Sequence, residues 1–174
     1  IKSLEKNPEN RILKRIGECD DEKALKFLLK NKSDIKITDD KHSIKTLWDC
    51  CQIPDFAKNA YGQHIEVVKK VFTFLSSKNY KVPNYYMKEQ LRGLDKYSGN
   101  IDTLANRISH VRIWSYVANK KHWTENQDYW IEKTKHMEDK LSDSLHEELT
   151  KRFIDKRISI LSRSLKQDIS LGTE

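Results

Sequence analysis

The feature that most constrains this sequence is a row of apolar residues spaced four apart towards its carboxyl-terminal end. Its members are Met137, Leu141, Leu145, Leu149 and Phe153. Because an α-helix turns by about 100° per residue, each step of four residues moves the row by about 40° around the helix. The row therefore predicts either one long helix or two over about 126–166. Since such a row cannot face one straight partner, the segment must bend, break or contact several neighbours in turn.

The composition favours helices in the rest of the chain as well. Five glycines and three prolines in 174 residues are few for the many turns of a sheet protein. The 4 Trp, 7 Tyr and 5 Phe argue against disorder. The predicted fold class is all-α, an irregular bundle of six to eight helices with one long bent or broken C-terminal helix. At most a single β-bridge is expected, near Ile35–Ile37.

Helix-capping residues and apolar spacing predict where the individual elements lie. A first helix is expected after the cap Asp20 or Asp21, and a second ends before Pro54 with Ile44, Leu47, Trp48 and Cys51 on one face. A third covers about 60–78 and presents the stripe Ile65, Val68, Phe72 and Leu75. A fourth covers about 84–96 with Pro83 as its first residue, and another follows a cap at Asn100 or Asp102. The predicted organisation is a connector over 1–18, a first helical subdomain over 19–96, a C-terminal helical subdomain over 97–166 and a flexible tail over 167–174. Trp114, Trp130 and Leu145 are predicted to be buried, and Trp123 is left open.

The cysteines and the hydropathy indicate a cytoplasmic location without a membrane span. Cys19 and the adjacent pair Cys50 and Cys51 form neither a disulfide framework nor a CxxC pair, so reduced, packed thiols are expected. No apolar run approaches 18 residues, the minimum for a spanning helix. The sequence starts at Ile1 without a signal pattern, and we expect it to be part of a longer protein.

The charge distribution has two interpretations, a polyanion partner and solvated helix faces. The formal net charge is +7. Residues 124–148 carry eight acidic and three basic side chains, a net charge of −5, whereas residues 149–166 carry six basic and one acidic, a net charge of +5. The functional interpretation is nucleic-acid binding. The alternative is that the charges complement the helix macrodipole and otherwise form solvated faces.

Two groups of basic residues are candidate nucleic-acid contacts. On a helical wheel Arg152, Lys156 and Arg163 fall within about 40° of one another, opposite the apolar residues Ile154, Ile158, Leu161 and Leu165. Lys120 and Lys121 belong to a second group, in which basic residues alternate with aromatic ones as in single-strand binding surfaces. That group comprises Trp114, Tyr116, Trp123, Tyr129 and Trp130 with Arg107, Arg112, Lys120, Lys121 and Lys133. The alternatives are a solvated basic face and an aromatic core.

No catalytic or cofactor-binding residue is predicted within the sequence. A GxxxxGK[ST] phosphate loop is absent, and HEELT (146–150) lacks the second histidine of a zincin. Ser142, Ser144, Asp143 and His146 cannot form a triad, because neighbours on one helix do not all reach one reacting atom. One helix face carries His136, Asp139, Asp143 and His146, for which a solvated polar face is the preferred interpretation over a metal site.

Three segments resemble a known helicase family in their order and separation. They are LWDCCQIPDF (47–56), GNIDTLANRISHVRIWSYVANKKHW (99–123) and EDKLSDSLHEELTKRFIDKR (138–157). Together they resemble the helical region after the second RecA-like domain of the mitochondrial degradosome (SUV-type) RNA helicases of superfamily 2 and their alphaproteobacterial relatives. The resemblance covers about residues 45–165, and the last segment is the most specific.

The resemblance implies an accessory module of an ATP-dependent RNA helicase that has no catalysis of its own. Its helices would brace the RecA-like motor domains of the same chain and line part of the path of RNA, single-stranded or duplex with an overhang. ATP and Mg²⁺ are expected cofactors of the complete enzyme, but their binding residues lie in the motor domains and none is carried over. The alternative is a protein-interaction scaffold that docks a ribonuclease or another subunit.

Overall fold

The computed structural model describes residues 19–30, 40–58, 61–78 and 80–171, with side-chain environments up to residue 165. The helices in these ranges are α1 (Asp20–Lys30), α2 (Lys41–Cys51), α3 (Tyr61–Leu75), α4 (Asn84–Leu91), α5 (Ile101–Asn119) and α6 (Gln127–Leu171). Within the same ranges there is no strand, and the single β-bridge pairs Val82 with Thr124 in parallel. The predicted all-α fold class is confirmed. The predicted connector over 1–18 and the predicted bridge near Ile35–Ile37 lie outside the described residues.

The chain divides into two compact units, the first ending at Gln52 and the second beginning at Ile53. The boundaries predicted from the sequence, after residues 18, 96 and 166, differ from this one, and the predicted division into connector, two subdomains and tail stays a prediction. In the first unit α1 contacts α2. Ala24 and Leu28 of α1 and Leu47, Cys50 and Cys51 of α2 are buried.

One residue of α2 departs from its predicted face. Ile44 is 52% exposed, whereas Ser43 is buried. Seen along the helix axis, Ser43 lies within about 40° of Leu47, while Ile44 lies about 60° from Leu47 on its other side. The buried face is therefore rotated by roughly 60° around the helix from the predicted one, towards Ser43.

In the second unit, α3 presents the predicted stripe and α4 is shorter than predicted. Ile65, Val68, Phe72 and Leu75 are all buried. Pro83 is the N-cap residue of α4, with extended backbone angles, and the helix begins at Asn84. The helix ends at Leu91 instead of continuing to residue 96. Gly93 adopts a φ of 81° immediately afterwards, a conformation that glycine reaches without steric cost.

Helices α5 and α6 form the most extensively packed pair of the described elements. Asn100 caps α5, its side-chain Oδ1 accepting a hydrogen bond of 2.8 Å from the backbone N–H of Thr103. The buried residues of this pair include Leu104, Ile108, Val111, Trp114 and Val117 from α5 and Trp130, Met137 and Leu141 from α6.

Polar contacts connect α4 to the start of α6. The Trp130 Nε1–H donates to the Asn84 Oδ1 at 2.8 Å, and the Asn84 N–H donates to the Glu125 carboxylate at 3.0 Å. The backbone N–H of Val82 also donates to the carbonyl of Trp123 at 2.7 Å. These bonds hold the segment before α4 against the turn between α5 and α6.

Helix α6 is one uninterrupted helix of 45 residues, about 67 Å long at 1.5 Å per residue. Its row of apolar residues leaves the core along the helix: Met137 and Leu141 are buried, Leu145 is half-buried, Leu149 is 47% exposed and Phe153 is 60% exposed. Every residue from 149 to 165 is exposed. The predicted burial of Leu145 is therefore wrong.

The length of α5 explains where this exposure begins. Arg112 of α5 forms an ion pair of 2.7 Å with Glu138 of α6, and the two consecutive helices run antiparallel. Ile101 is as far before Arg112 as Leu149 is after Glu138, so α5 begins level with Leu149. Beyond that point α6 has no described helix beside it, and we call residues 149–165 its exposed half.

Candidate nucleic-acid interface

The exposed half of α6 carries the basic face predicted from the sequence. Arg152, Lys156 and Arg163 are all exposed, and they share one side of the helix within about 40°. None of the three forms an ion pair with any residue that the structure describes. Their charges are therefore available to an external anion.

The neighbouring charges leave this face strongly positive. Lys151 lies outside this face, about 100° around the helix from Arg152, and forms ion pairs of 3.0 Å with both Glu147 and Glu148. Hydrogen bonds from these two carboxylates raise the pKa of Lys151. Asp155 is the one acidic residue between positions 149 and 166. Most acidic residues of α6 thus precede the exposed half, and Lys151 pairs with two of them.

An exposed aromatic ring lies beside the basic face. Phe153 is 60% exposed, and the guanidinium carbon of Arg157 lies 5.5 Å from the centre of its ring. A shallow cavity of about 480 Å³ is lined by His146, Leu149, Thr150, Arg152, Phe153 and Lys156. A ring that stacks on a base, next to cations that reach phosphates, is a pattern of single-strand binding surfaces. Phe153 was not predicted as a contact, because its four-residue spacing assigned it to the packed row.

The second predicted group, Lys120 and Lys121, lies at the other end of α6. The Lys120 Nζ lies 5.0 Å from the ring centre of Tyr116 and 5.9 Å from that of Trp123, so this cation is already held against two aromatic rings. Lys121 is exposed. About 37 Å of helix separates Gln127, just after this group, from Arg152. The structure therefore does not bring the two basic groups together.

Most of the aromatic side chains that alternate with these lysines belong to the core. Trp114 and Trp130 are 3% and 4% exposed, which confirms their predicted burial. Trp123, left open by the sequence, is half-buried, and Tyr129 is 56% exposed. The aromatic residues accordingly do not form one continuous stacking surface.

No arrangement for catalysis or metal binding is seen in the described ranges. His136, Asp139, Asp143 and His146 are each exposed, and no group of three or more His, Cys, Asp or Glu side chains there could hold a metal ion. A groove of about 570 Å³ between α4 and α6 is lined by Leu91, Trp130 and Met137 with charged residues of both signs. Its opposite charges, on Lys88, Glu89, Arg92, Asp95 and Lys133, nearly balance and indicate no particular reaction.

Among the described residues, none of the helices has the length and apolar character required to cross a membrane. No family model, curated protein or solved structure matches the chain.

Proposed function

We propose that this chain is an accessory helical module of an ATP-dependent RNA helicase, without catalysis of its own and acting in the cytoplasm. It braces the RecA-like motor domains, which bind ATP and Mg²⁺, and contributes to RNA binding through Arg152, Lys156 and Arg163. Lys120 and Lys121 would contact a strand long enough to reach the other end of α6. The preference for RNA and the helicase context come from the sequence resemblance of residues 45–165.

The observation that carries the RNA-binding part of the proposal is the exposed basic face of α6, which has no ion pair with the described residues. A net charge of +4 over residues 149–165 is concentrated on a segment in which every residue is exposed. Cations in such a position attract the phosphate backbone of a nucleic acid whatever its base sequence. The exposed ring of Phe153 next to them is suited to an unpaired base.

The second candidate function is a scaffold that docks a ribonuclease or another protein subunit. It is favoured by the apolar residues of the same exposed half, such as Ile154, Ile158 and Leu161, which are between 49% and 61% exposed. Contiguous exposed apolar surface is typical of protein-interaction sites. This surface lies on the opposite side of α6 from the basic face, so it does not compete with it for space.

Measuring the affinity for single-stranded RNA over a range of salt concentrations separates the two functions. If the three basic residues each contact one phosphate, the log–log plot of affinity against salt has a slope of roughly −2, from about −0.7 per contact. Binding by an apolar surface has no such slope. A slope near zero with undiminished binding would count against the phosphate contacts.

A triple variant tests the residues themselves. Changing Arg152, Lys156 and Arg163 to Glu should weaken RNA binding strongly, while the helical content stays unchanged because all three side chains are exposed. The matched control changes three exposed lysines elsewhere, Lys41, Lys45 and Lys70, to Glu. If net charge alone mattered, both variants would lose the same affinity. Unchanged RNA binding in the first variant would exclude direct contact by this face.

A further inference from the structure

Four exposed apolar residues form a straight seam along the exposed half of α6. They are Ile154, Ile158, Leu161 and Leu165, which are 49%, 56%, 61% and 62% exposed. Their successive spacings of four, three and four residues are those of the core positions of a coiled coil. Unlike the row from Met137 to Phe153, this seam does not drift around the helix. It can therefore face one straight helix along its whole length.

We infer that this apolar seam pairs with the same seam of a second copy of the chain, in an antiparallel two-helix arrangement. A spacing of four, three and four reads the same from either end. In the antiparallel register Ile154 therefore faces Leu165 of the second copy, and Ile158 faces its Leu161. The twofold axis passes between Ser159 and Ile160, and every apolar residue of the seam meets an apolar residue.

The length of α6 fits this register. When Ile154 faces residue 165 of the second copy, Glu148 faces residue 171, at which the described helix ends. The overlap thus begins where the cover by α5 ends, since α5 starts level with Leu149. In this register α5 of each copy lies beside the part of its own α6 that precedes the overlap.

The charges beside the seam favour the antiparallel arrangement over the parallel one. The flanking residues are Asp155, Arg157, Ser162 and Ser164. In the antiparallel pair Asp155 lies beside Ser162 of the second copy and Arg157 beside its Ser164, so like charges do not meet. In a parallel pair Lys151, one heptad before Ile158, would face Lys151 of the second copy and repel it.

Pairing leaves the basic face free. Arg152, Lys156 and Arg163 point about 170° away from the centre of the seam, so they lie on the outside of the pair. The two exposed halves still repel each other over longer distances, because each carries a net charge of +4 over residues 149–165. Salt screens this repulsion. Self-association should therefore strengthen as salt rises, the opposite direction from RNA binding, and the two interactions can be tested separately.

Analytical ultracentrifugation of the whole chain over a range of concentrations tests the pairing. A seam of four residues per copy is small, so we expect a monomer–dimer equilibrium that dissociates on dilution. Changing Ile158 and Leu161 to Ser should raise the dissociation constant by more than about tenfold. The control changes Leu149 and Ile160 to Ser: the same residue types, 47% and 58% exposed, but off the seam. This control should dimerise like the unmodified chain.

Disulfide trapping tests the direction of pairing independently of these substitutions. Two variants are made, both with Cys19→Ser: one carries Ile154→Cys and the other carries Leu165→Cys. The two purified variants are mixed and oxidised. The antiparallel register predicts a crosslink between the two variants and none between two copies of Ile154→Cys. A chain that stays monomeric at high salt, a control as impaired as the seam variant, or a crosslink between two Ile154→Cys chains would each overturn the inference.

Discussion

At the scale of single residues, the three cysteines differ in their surroundings. Cys19 is exposed, whereas Cys50 and Cys51 are buried in the first unit. Burial, with a smaller contribution from the carboxylate of Asp21, raises the pKa of Cys51 from 9.0 to about 12. Since the thiolate is the reactive form of cysteine, Cys51 should be inert in the folded protein.

Thiol labelling at pH 8 checks this expectation. Only about one Cys51 thiol in 10⁴ is ionised at that pH if its pKa is about 12. One thiol, Cys19, should react quickly, and the other two should react only on unfolding, as counted by mass spectrometry. Cys19→Ser should remove the fast phase altogether. Labelling of all three thiols at one rate would show that the first unit does not hold Cys50 and Cys51 as described.

At the scale of elements, the burial of the apolar row of α6 depends on how far α5 extends beside it. Leu141 is fully buried, Leu145 is half-buried and Leu149 is 47% exposed, although the three side chains are identical. The 40° drift per step and the start of α5 at Ile101 together produce this gradient. The contribution of each leucine to stability should follow it.

Replacing these leucines singly by Ala measures the gradient. Leu141→Ala should cost about 2–5 kcal/mol of unfolding free energy, the usual loss at a packed core position. Leu145→Ala should cost about 1 kcal/mol, and Leu149→Ala less than about 0.5 kcal/mol, as at a surface position. Alanine favours helices at least as well as leucine, so helix propensity does not confound the series.

Denaturant unfolding followed by tryptophan fluorescence gives the three values, because Trp114, Trp123 and Trp130 lie on or between α5 and α6. An equal loss at Leu141 and Leu149 would mean that the exposed half is covered in solution. The measurement should then be repeated at a lower protein concentration, because the proposed dimer would dissociate there and leave the seam free.

At the scale of the whole molecule, the second unit combines packed helices with a charged helix, α6, whose exposed half extends beyond α5. The sequence contains no phosphate-binding loop, and the described residues contain no candidate metal cluster. Hydrolysis of ATP requires a cradle for the phosphates and acids that hold Mg²⁺. The proposed role is one of binding and support.

The purified chain should accordingly hydrolyse no ATP, with or without RNA. Phosphate release is measured beside a mock preparation from cells that express an unrelated protein with the same tag, which controls for contaminating ATPases. RNA-stimulated turnover that exceeds the mock preparation and follows the chain through a further purification step would contradict this prediction. It would also remove the chain from the class of accessory modules.

The candidate interface was only partly predictable from the sequence. The wheel position of Arg152, Lys156 and Arg163 depends only on helical geometry, so it was correct once the segment was known to be helical. Whether Lys120 and Lys121 lie near this face depends on distance in space, and the unbroken length of α6 separates the two groups. Phe153 was missed because a spacing of four residues is the same for a packed row and for an exposed one.

The sequence by itself determined the helices, because periodic apolar residues, scarce glycine and proline, and caps such as Asn100 act within a few residues of chain. It also determined which residues share a face of α6. Only the tertiary structure decided which of those faces is covered, since burial depends on where a neighbouring helix begins and ends. Ile101 starts α5 level with Leu149, and from that residue to Leu165 the apolar and basic faces of α6 are both exposed.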